Sequence, residues 1–257
     1  MTGHQELSIL QYNVQKSRDV VLANLFKDPR VLEYDILAIQ EPWRNPFIAT
    51  SYHPLKTHFQ LTYLDDAATR VCLYINKRID PSTWSVSHVS KDITCLSLHN
   101  PTSSEIIHIL NVYNEPRSDT LSMVVEALSK LDPGNETIVL GNFNLHHPLW
   151  AASHLRPSAI PSAQPLLAIA EDFQLQLLTV PGTPTHRWKD GESTINLTFA
   201  SEGLASRVVL PRRACRVPVP VNHQGNRRSS NSADDGSERD RTTITKPTDK
   251  HVTRKAD

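Results

Sequence analysis

Short apolar runs with the two-residue period of β-strands recur over the first 200 residues, and they constrain the fold more than any other feature of the chain. Such runs predict strands at residues 7–13, 34–43, 70–79, 84–90, 93–99, 105–113, 136–144 and 193–201. Helical spacing interrupts them at residues 18–27, 118–131 and 165–173. No internal repeat is visible. Several strands are apolar on both faces, so we predict an α/β fold in which two packed mixed sheets are flanked by helices.

The end of the chain differs in composition from the rest. Residues 210–257 carry 11 Lys and Arg against 6 Asp and Glu, and they contain no aromatic residue. A segment of this kind cannot bury enough apolar surface to offset the entropy of ordering. We therefore predict a folded domain of residues 1–209 and a basic, low-complexity, disordered tail of residues 210–257. The charge of the tail fits either simple solvation or a weak attraction to phosphate.

Composition also excludes several classes of function. Eight glycines against 18 prolines disfavour a glycine-loop nucleotide fold, and we expect no small-molecule cofactor. The three cysteines have no metal-type spacing and no disulfide framework, which suits a reducing compartment. The N-terminus has no apolar signal segment, and no apolar run is long enough to span a membrane. These features predict an intracellular protein, nuclear or cytoplasmic, with no membrane partner.

Polar residues stand where several predicted strands end. They are Asn13, Glu41, Tyr113, and the pair Asn142 and Asn144. Strand ends favour sites because the sheet holds the backbone while the following loop exposes the side chains. Each residue alone has an ordinary explanation, such as a turn-forming asparagine, a solvated glutamate or a packed tyrosine ring. Their joint order along the chain is the informative signal.

That order resembles the endonuclease/exonuclease/phosphatase superfamily, which has the DNase I-like fold. More narrowly, it resembles the apurinic-type endonuclease domain at the N-terminus of LINE-type (non-LTR) retrotransposon polyproteins. The matching segments, within residues 7–201, are ILQYNVQKS, DILAIQEPW, NVYNEP, GNFNLHHPLW, PGTPTH and STINLTFAS. The resemblance implies a four-layer α/β sandwich in residues 1–209 that hydrolyses DNA phosphodiesters with Mg²⁺ or Mn²⁺. It also implies that Glu41 is the principal metal ligand with Asn13 beside it, and that Tyr113 and Asn144 contact the phosphate.

Two motif positions depart from the family. The family has Gly-Asp-Phe-Asn where this chain has Asn142, and Ser-x-Ile-Asp-Leu where it has Asn196. The first aspartate takes a proton from the attacking water, and an amide oxygen accepts hydrogen bonds but not a proton near neutrality. The second aspartate supports a catalytic histidine, which an amide cannot do by charge. The resemblance therefore predicts a catalytically impaired endonuclease. The alternative is a non-catalytic remnant that binds DNA or metal without turnover.

The third family motif, Ser-Asp-His, does not occur in this sequence. Asn222 and His223 stand at the expected distance and are candidates for its remnant, with His223 as the catalytic histidine. In the alternative, the chain leaves the family near Val209 and the last strand of the sandwich is missing. Three aspartates replaced by asparagine each require one G→A transition, which suggests a decayed copy of a mobile element.

Two further residues are candidates for contact with DNA, the implied partner. His146 follows the GNFN motif, and Arg70 begins a predicted strand close to the expected site. For Arg70, an ordinary solvated surface position is the competing interpretation. Adjacent histidines 146 and 147 point to opposite sides of an extended chain, so we do not expect them to ligate one ion.

Overall fold

The computed structural model describes residues 5–15, 20–42, 55–100, 103–151, 157–188, 191–208 and 215–219. Its helices are α1 (Val20–Lys27), α2 (Thr120–Ser129), α3 (Gln164–Asp172) and α4 (Glu202–Ala205), with 3₁₀ turns at Pro29–Glu33, Pro81–Thr83 and Pro157–Ala163. The first strands are β1 (Gln5–Asn13), β2 (Ile36–Gln40), β3 (Phe59–Thr62), β4 (Val71–Asn76), β5 (Trp84–Ser90), β6 (Ile93–His99) and β7 (Ile106–Tyr113). The later strands are β8 (Glu136–Asn142), β9 (Leu175–Leu177), β10 (His186–Trp188), β11 (Gly191–Ser193), β12 (Asn196–Ser201) and β13 (Cys215–Val219).

The strands form two mixed sheets and a short hairpin. Sheet A has the order β13-β1-β2-β4-β3, and sheet B has the order β5-β6-β7-β8-β12-β9. The pairs β1–β2 and β7–β8 are parallel, and the other pairs in these sheets are antiparallel. Strands β10 and β11 pair only with each other among the described residues. The predicted pair of mixed sheets is therefore confirmed.

Three apolar clusters show how the layers stack. The cluster between the sheets comprises Leu7, Ile9, Ile36, Ala38, Leu73, Ile75, Leu96, Ile107, Ile109, Ile138, Leu140 and Ala200. The outer face of sheet A packs Leu10, Leu37, Ile39 and Tyr74 against Leu22 of α1 and Val31. The outer face of sheet B packs Leu110, Val112, Val139 and Phe199 against Val124 and Leu128 of α2 and Leu166 and Ile169 of α3. Strands buried on both faces explain the continuous apolar runs in the sequence. The layers are helix, sheet, sheet and helix, as the four-layer prediction requires.

At one end, the space between the sheets changes from apolar to polar. Gln40 and Asn111 face each other there, and both are completely buried. The Gln40 Nε2 donates to Asn111 Oδ1 at 2.5 Å, and the Asn111 Nδ2 donates to the carbonyls of Ile39 and Cys72 at 3.1 and 3.0 Å. One side chain of sheet B is thereby bonded to two strands of sheet A. This polar contact lies directly beneath the strand ends that carry the candidate site.

Strand β13 lies beyond the domain boundary that the sequence suggested at residue 209. It pairs antiparallel with β1, from Gln5 opposite Val219 to Ile9 opposite Cys215. The chain divides into compact units at Met1–His223 and Gln224–Asp257. The polypeptide therefore returns to the sheet after residue 209, and the edge of β1 that would otherwise be open is covered. The predicted disorder of the tail falls on residues that, apart from 215–219, lie outside the described ranges, as does His223.

Within the described ranges, no helix combines the length and the apolar character that crossing a membrane requires.

Candidate active site

The parallel pair β1–β2 brings two predicted site residues to one edge of sheet A. Asn13, the last residue of β1, lies opposite Gln40, the last residue of β2, and Glu41 follows directly. Glu41 has a φ of 49°, and its N–H donates to the carbonyl of Arg70 at 2.7 Å. This left-handed conformation is uncommon for a residue with a side chain. It ends β2 and turns the glutamate out of the strand.

Three predicted residues lie side by side at the same end of three neighbouring strands of sheet B. Tyr113 of β7 lies opposite Asn142 of β8, and Asn142 lies opposite Asn196, the first residue of β12. Asn144, two residues beyond β8, has a φ of 53° and donates from Nδ2 to the carbonyl of Asn114 at 2.8 Å. The strand register therefore assembles these residues from three distant parts of the chain.

Tyr113 connects the two groups of residues. The Glu41 carboxylate and the Asn144 side chain both act on its phenol group. Burial, followed by the negative charge of Glu41, raises the pKa of Tyr113 to about 12, while Arg70 and Asn144 act in the opposite direction. The phenol is therefore a hydrogen-bond donor throughout the physiological pH range. A donor beside a carboxylate at a sheet edge suits the recognition of an anionic oxygen.

The amide at Asn142 is held tightly inside the site. Its side chain is 2% exposed, and Oδ1 accepts the N–H of Asn144 at 3.1 Å. The preceding Gly141 packs so closely on β7 that a Cβ there would lie 1.9 Å from the carbonyl oxygen of Val112. Glycine is therefore required for the backbone of the GNFN segment to reach this place.

The amide oxygen of Asn196 has no donor within the described ranges. Asn196 Oδ1 is buried and accepts no hydrogen bond from the residues that the structure describes. The backbone N–H groups of Asn196 and Ile195 both donate to Thr185 Oγ1, at 3.0 and 2.9 Å. The start of β12 is thus fixed by its backbone, whereas no described residue fixes the Asn196 side-chain oxygen. A buried acceptor without a donor is unfavourable.

Asn13 forms a turn that connects to the β10–β11 hairpin. Asn13 Oδ1 accepts the N–H of Gln15 at 2.8 Å, an Asx-turn of the kind that asparagine favours. The side chain of Gln15 then bonds to Nδ1 of His186 at 2.7 Å, across 171 residues of sequence. Neither Gln15 nor His186 was predicted as a site residue. Both residues stand in segments that carry the family resemblance, Gln15 in ILQYNVQKS and His186 in PGTPTH, but neither was singled out there.

The two residues expected to contact DNA occupy different environments. Arg70 is 6% exposed and is bound by Asp92 and Glu115, so it is not the solvated surface residue considered as the alternative. His146 is half-buried in the segment after β8, and burial lowers its pKa. It therefore stays neutral at pH 7 and offers a hydrogen bond rather than a charge. Contact of either residue with DNA remains a prediction.

The donor set is sparse for a metal ion. The described residues contain no group of three or more His, Cys, Asp or Glu side chains arranged to hold one. Glu41 supplies one carboxylate at the sheet edge, and Asn13 keeps a second lone pair on its amide oxygen after accepting the Gln15 N–H. Mg²⁺ commonly binds through one or two protein carboxylates, several waters and substrate phosphate. The residues therefore fit a hydrated Mg²⁺ or Mn²⁺ and do not form a cage made of protein ligands alone.

Comparison with known proteins agrees with this geometry. Residues 107–219 match the model of a family described as endonuclease-reverse transcriptase. No curated protein sequence matches significantly. The endonuclease domain of TRAS1, a telomere-specific non-LTR retrotransposon, is a similar solved structure with a TM-score of 0.62 and 16% identity, covering 85% of this chain and 100% of that one.

Two other solved structures are similar to this chain. The AP endonuclease LMAP from Leishmania major has a TM-score of 0.63 and 12% identity, and the match covers 83% of this chain and 87% of that one. The catalytic domain of Xenopus laevis APE2 has a TM-score of 0.58 and 13% identity, and the match covers 82% of this chain and 91% of that one. At these identities the structural matches establish the fold.

Proposed function

We propose that the chain belongs to the endonuclease/exonuclease/phosphatase superfamily, and that it is the DNA endonuclease domain of a non-LTR retrotransposon with an impaired hydrolytic step. One observation carries the proposal. Tyr113 lies with Glu41 and Asn144 at the common edge of the two sheets, where both act on its phenol group, and Asn142 and Asn196 lie beside it in register. The arrangement has the shape of a phosphodiesterase site, but amides occupy two positions where the family resemblance implies carboxylates.

The residues of the site have separable roles in this proposal. Tyr113 and Asn144 orient the scissile phosphate by donating hydrogen bonds to its oxygens. Glu41, with Asn13, holds Mg²⁺ or Mn²⁺, which when bound offsets the negative charge of the phosphate. His223 would support the developing charge from the segment beyond β13. These assignments follow the resemblance, and the proximity of Glu41 and Asn144 to the Tyr113 phenol supports them.

The two amides impair the step that activates water. Asn142 is buried beside Tyr113 and has no basic oxygen to take a proton from a nucleophilic water. Asn196 offers His223 an acceptor but no negative charge. In serine proteases, the comparable change of the histidine-orienting carboxylate to an amide lowers kcat by about 10⁴. Two such losses in one mechanism need not multiply.

A nicking assay on supercoiled plasmid with Mg²⁺ or Mn²⁺ tests the proposal. The triple variant Asn142→Asp, Asn196→Asp, Asn222→Asp restores the implied carboxylates, and we expect it to nick at least about 100-fold faster than the natural chain. Adding Glu41→Ala to the triple variant should abolish the gain. Asn135→Asp, on the loop before β8, adds a carboxylate away from the site and is the matched control.

The possible results separate the competing functions. Nicking by the natural chain as fast as the triple variant, and lost with Glu41→Ala, would refute the impairment and retain the endonuclease. Inactivity of both chains, with DNA binding preserved, would favour the alternative of a non-catalytic remnant. Since DNA is the proposed substrate, we also place the domain in the nucleus or cytoplasm, which fractionation of expressing cells would check.

A further inference from the structure

We propose that Arg70 is a positioning residue for Tyr113 and Glu41, and that two carboxylates occupy its guanidinium in place of DNA phosphate. The inference rests on the proposed function for the roles of Tyr113 and Glu41. It also assigns Arg70 a task other than the substrate contact suggested by its place in the sequence.

Each of the three guanidinium nitrogens of Arg70 bonds to a carboxylate. Nε and Nη2 bond to the two oxygens of Asp92, the latter at 2.6 Å, and Nη1 bonds to Glu115. Arg70 and Asp92 are 6% and 4% exposed. A buried arginine is stable only when its charge and its N–H donors are matched, and a bidentate carboxylate is the arrangement that best matches them. Of the two carboxylates, Asp92 is buried, whereas the Glu115 side chain is 47% exposed.

The same guanidinium holds the tyrosine. Its central carbon lies 4.9 Å from the centroid of the Tyr113 ring, within the range of a cation–π contact. The backbone N–H of Tyr113 donates to the carbonyl of Asp92 at 2.9 Å. Ring and backbone of Tyr113 are thus both attached to the Arg70–Asp92 pair, which limits where the phenol oxygen can lie.

The backbone of Arg70 holds the glutamate. Its carbonyl accepts the N–H of Glu41 at 2.7 Å, and its own N–H donates to the carbonyl of Lys91 at 2.7 Å. Glu41 has a positive φ, which is unfavourable unless surrounding contacts maintain it. Arg70 therefore positions the Glu41 carboxylate through its main chain and the Tyr113 phenol through its side chain.

Nuclear magnetic resonance of the protein labelled with ¹³C at tyrosine Cζ gives a test that requires neither DNA nor turnover. The chain has six tyrosines, and Tyr113→Phe identifies the signal of interest. Arg70→Lys keeps the charge but loses the planar bidentate and stacking geometry. We expect it to shift or broaden the Tyr113 signal and leave the other five in place. An unmoved Tyr113 signal would overturn the inference.

Arg207 provides a matched control. It also bonds to two carboxylates, Glu105 at 3.1 Å and Glu136 at 2.9 Å. Glu136 begins β8, whose other end carries Asn142, so this network lies at the opposite end of sheet B. We expect Arg207→Lys to leave the Tyr113 signal unchanged. A similar shift in both variants would indicate a general loss of structure and overturn the specific role of Arg70.

The salt dependence of binding to a short DNA duplex distinguishes positioning from phosphate contact. If Arg70 neutralised a phosphate, Arg70→Lys or Arg70→Gln would change affinity, and the glutamine would reduce the slope of log Kd against log salt by about one. We expect the slope to be unchanged. Glu115→Gln is the second variant, since it preserves the buried Arg70–Asp92 pair. Tighter binding with a steeper slope in Glu115→Gln would show that phosphate displaces this carboxylate, and would overturn the inference.

Kinetics in the triple aspartate variant supply a further readout. Misplacement of Tyr113 and Glu41 should lower kcat by roughly 10- to 100-fold in Arg70→Lys, with KM little changed. A rise in KM alone would assign Arg70 to substrate binding and contradict the positioning role. Failure of the triple variant to cut DNA would count against the proposed function, whereas the tyrosine signal would still decide the role of Arg70.

Discussion

Replacing Asn111 by alanine should be among the most damaging single changes to the stability of the domain. Asn111 is completely buried between the sheets and makes three hydrogen bonds, to the Gln40 side chain and to the carbonyls of Ile39 and Cys72. Because it joins β7 of sheet B to β2 and β4 of sheet A, its loss affects the contact between sheets rather than the pairing within one.

The magnitude follows from those bonds. Each buried hydrogen bond contributes about 1 kcal/mol net, so three contribute about 3 kcal/mol. Alanine also leaves space and unpaired groups, which brings the expected loss to about 3–4 kcal/mol out of a typical 5–15 kcal/mol. Gln40→Met is the matched control. It breaks the same bond to Asn111, but it also removes the buried Gln40 Oε1, which has no partner among the described residues. The broken bond lowers the free energy of unfolding, whereas removal of the unpartnered oxygen raises it. We therefore expect a net loss of at most about 1 kcal/mol.

Urea unfolding followed by circular dichroism and tryptophan fluorescence measures both variants. The free energies of unfolding are comparable if the slope with urea is the same for each variant and the natural chain. A loss below about 1 kcal/mol for Asn111→Ala would refute the calculation. A loss for Gln40→Met as large as that for Asn111→Ala would also refute it, because removing the unpartnered Gln40 oxygen would then have no energetic effect.

Two further predictions concern Gly141 and His108. Gly141→Ala would place a Cβ 1.9 Å from the carbonyl oxygen of Val112, so strands β7 and β8 must separate, and we expect a loss above about 3 kcal/mol in the same unfolding assay. A variant as stable as the natural chain would show that the strands adjust freely. His108 is hydrogen-bonded to Ser97 and Asn135 as a neutral ring, and burial, then the charge of His99, lowers its pKa. In the unfolded chain, His108 has the ordinary histidine pKa of about 6.5, so it takes up a proton at a higher pH than it does in the folded chain. Protonation therefore favours the unfolded state, and the free energy of unfolding should fall as pH decreases from 7.5 to 5.5. His108→Gln should reduce this fall, and an unchanged pH dependence would contradict the assignment.

Most elements of the two sheets could be predicted from periodicity. The predicted strand at residues 105–113 is β7, from Ile106 to Tyr113, and the predicted helix at 118–131 is α2. The hydrogen bonds at the start of α2 could not be predicted in the same way, since Asp119 occupies the cap position without a side-chain bond and Ser118 Oγ contacts Glu115 and Thr120. The strands β9, β10 and β11 have three residues each, which is too short for an apolar period to show.

Local sequence by itself determined which residues end the strands, since an apolar run and the polar residue after it are adjacent in the chain. It therefore identified Asn13, Glu41, Tyr113, Asn142 and Asn144 as strand-end residues, and the family resemblance added Asn196. The register of the sheets places Tyr113, Asn142 and Asn196 side by side. Only the tertiary structure decided which groups those residues meet. Gln15 and His186 are 171 residues apart, and Arg70 and Asp92 are 22 apart. Such pairings depend on how two sheets twist and pack, and the pattern within any single strand is the same whichever partner lies opposite.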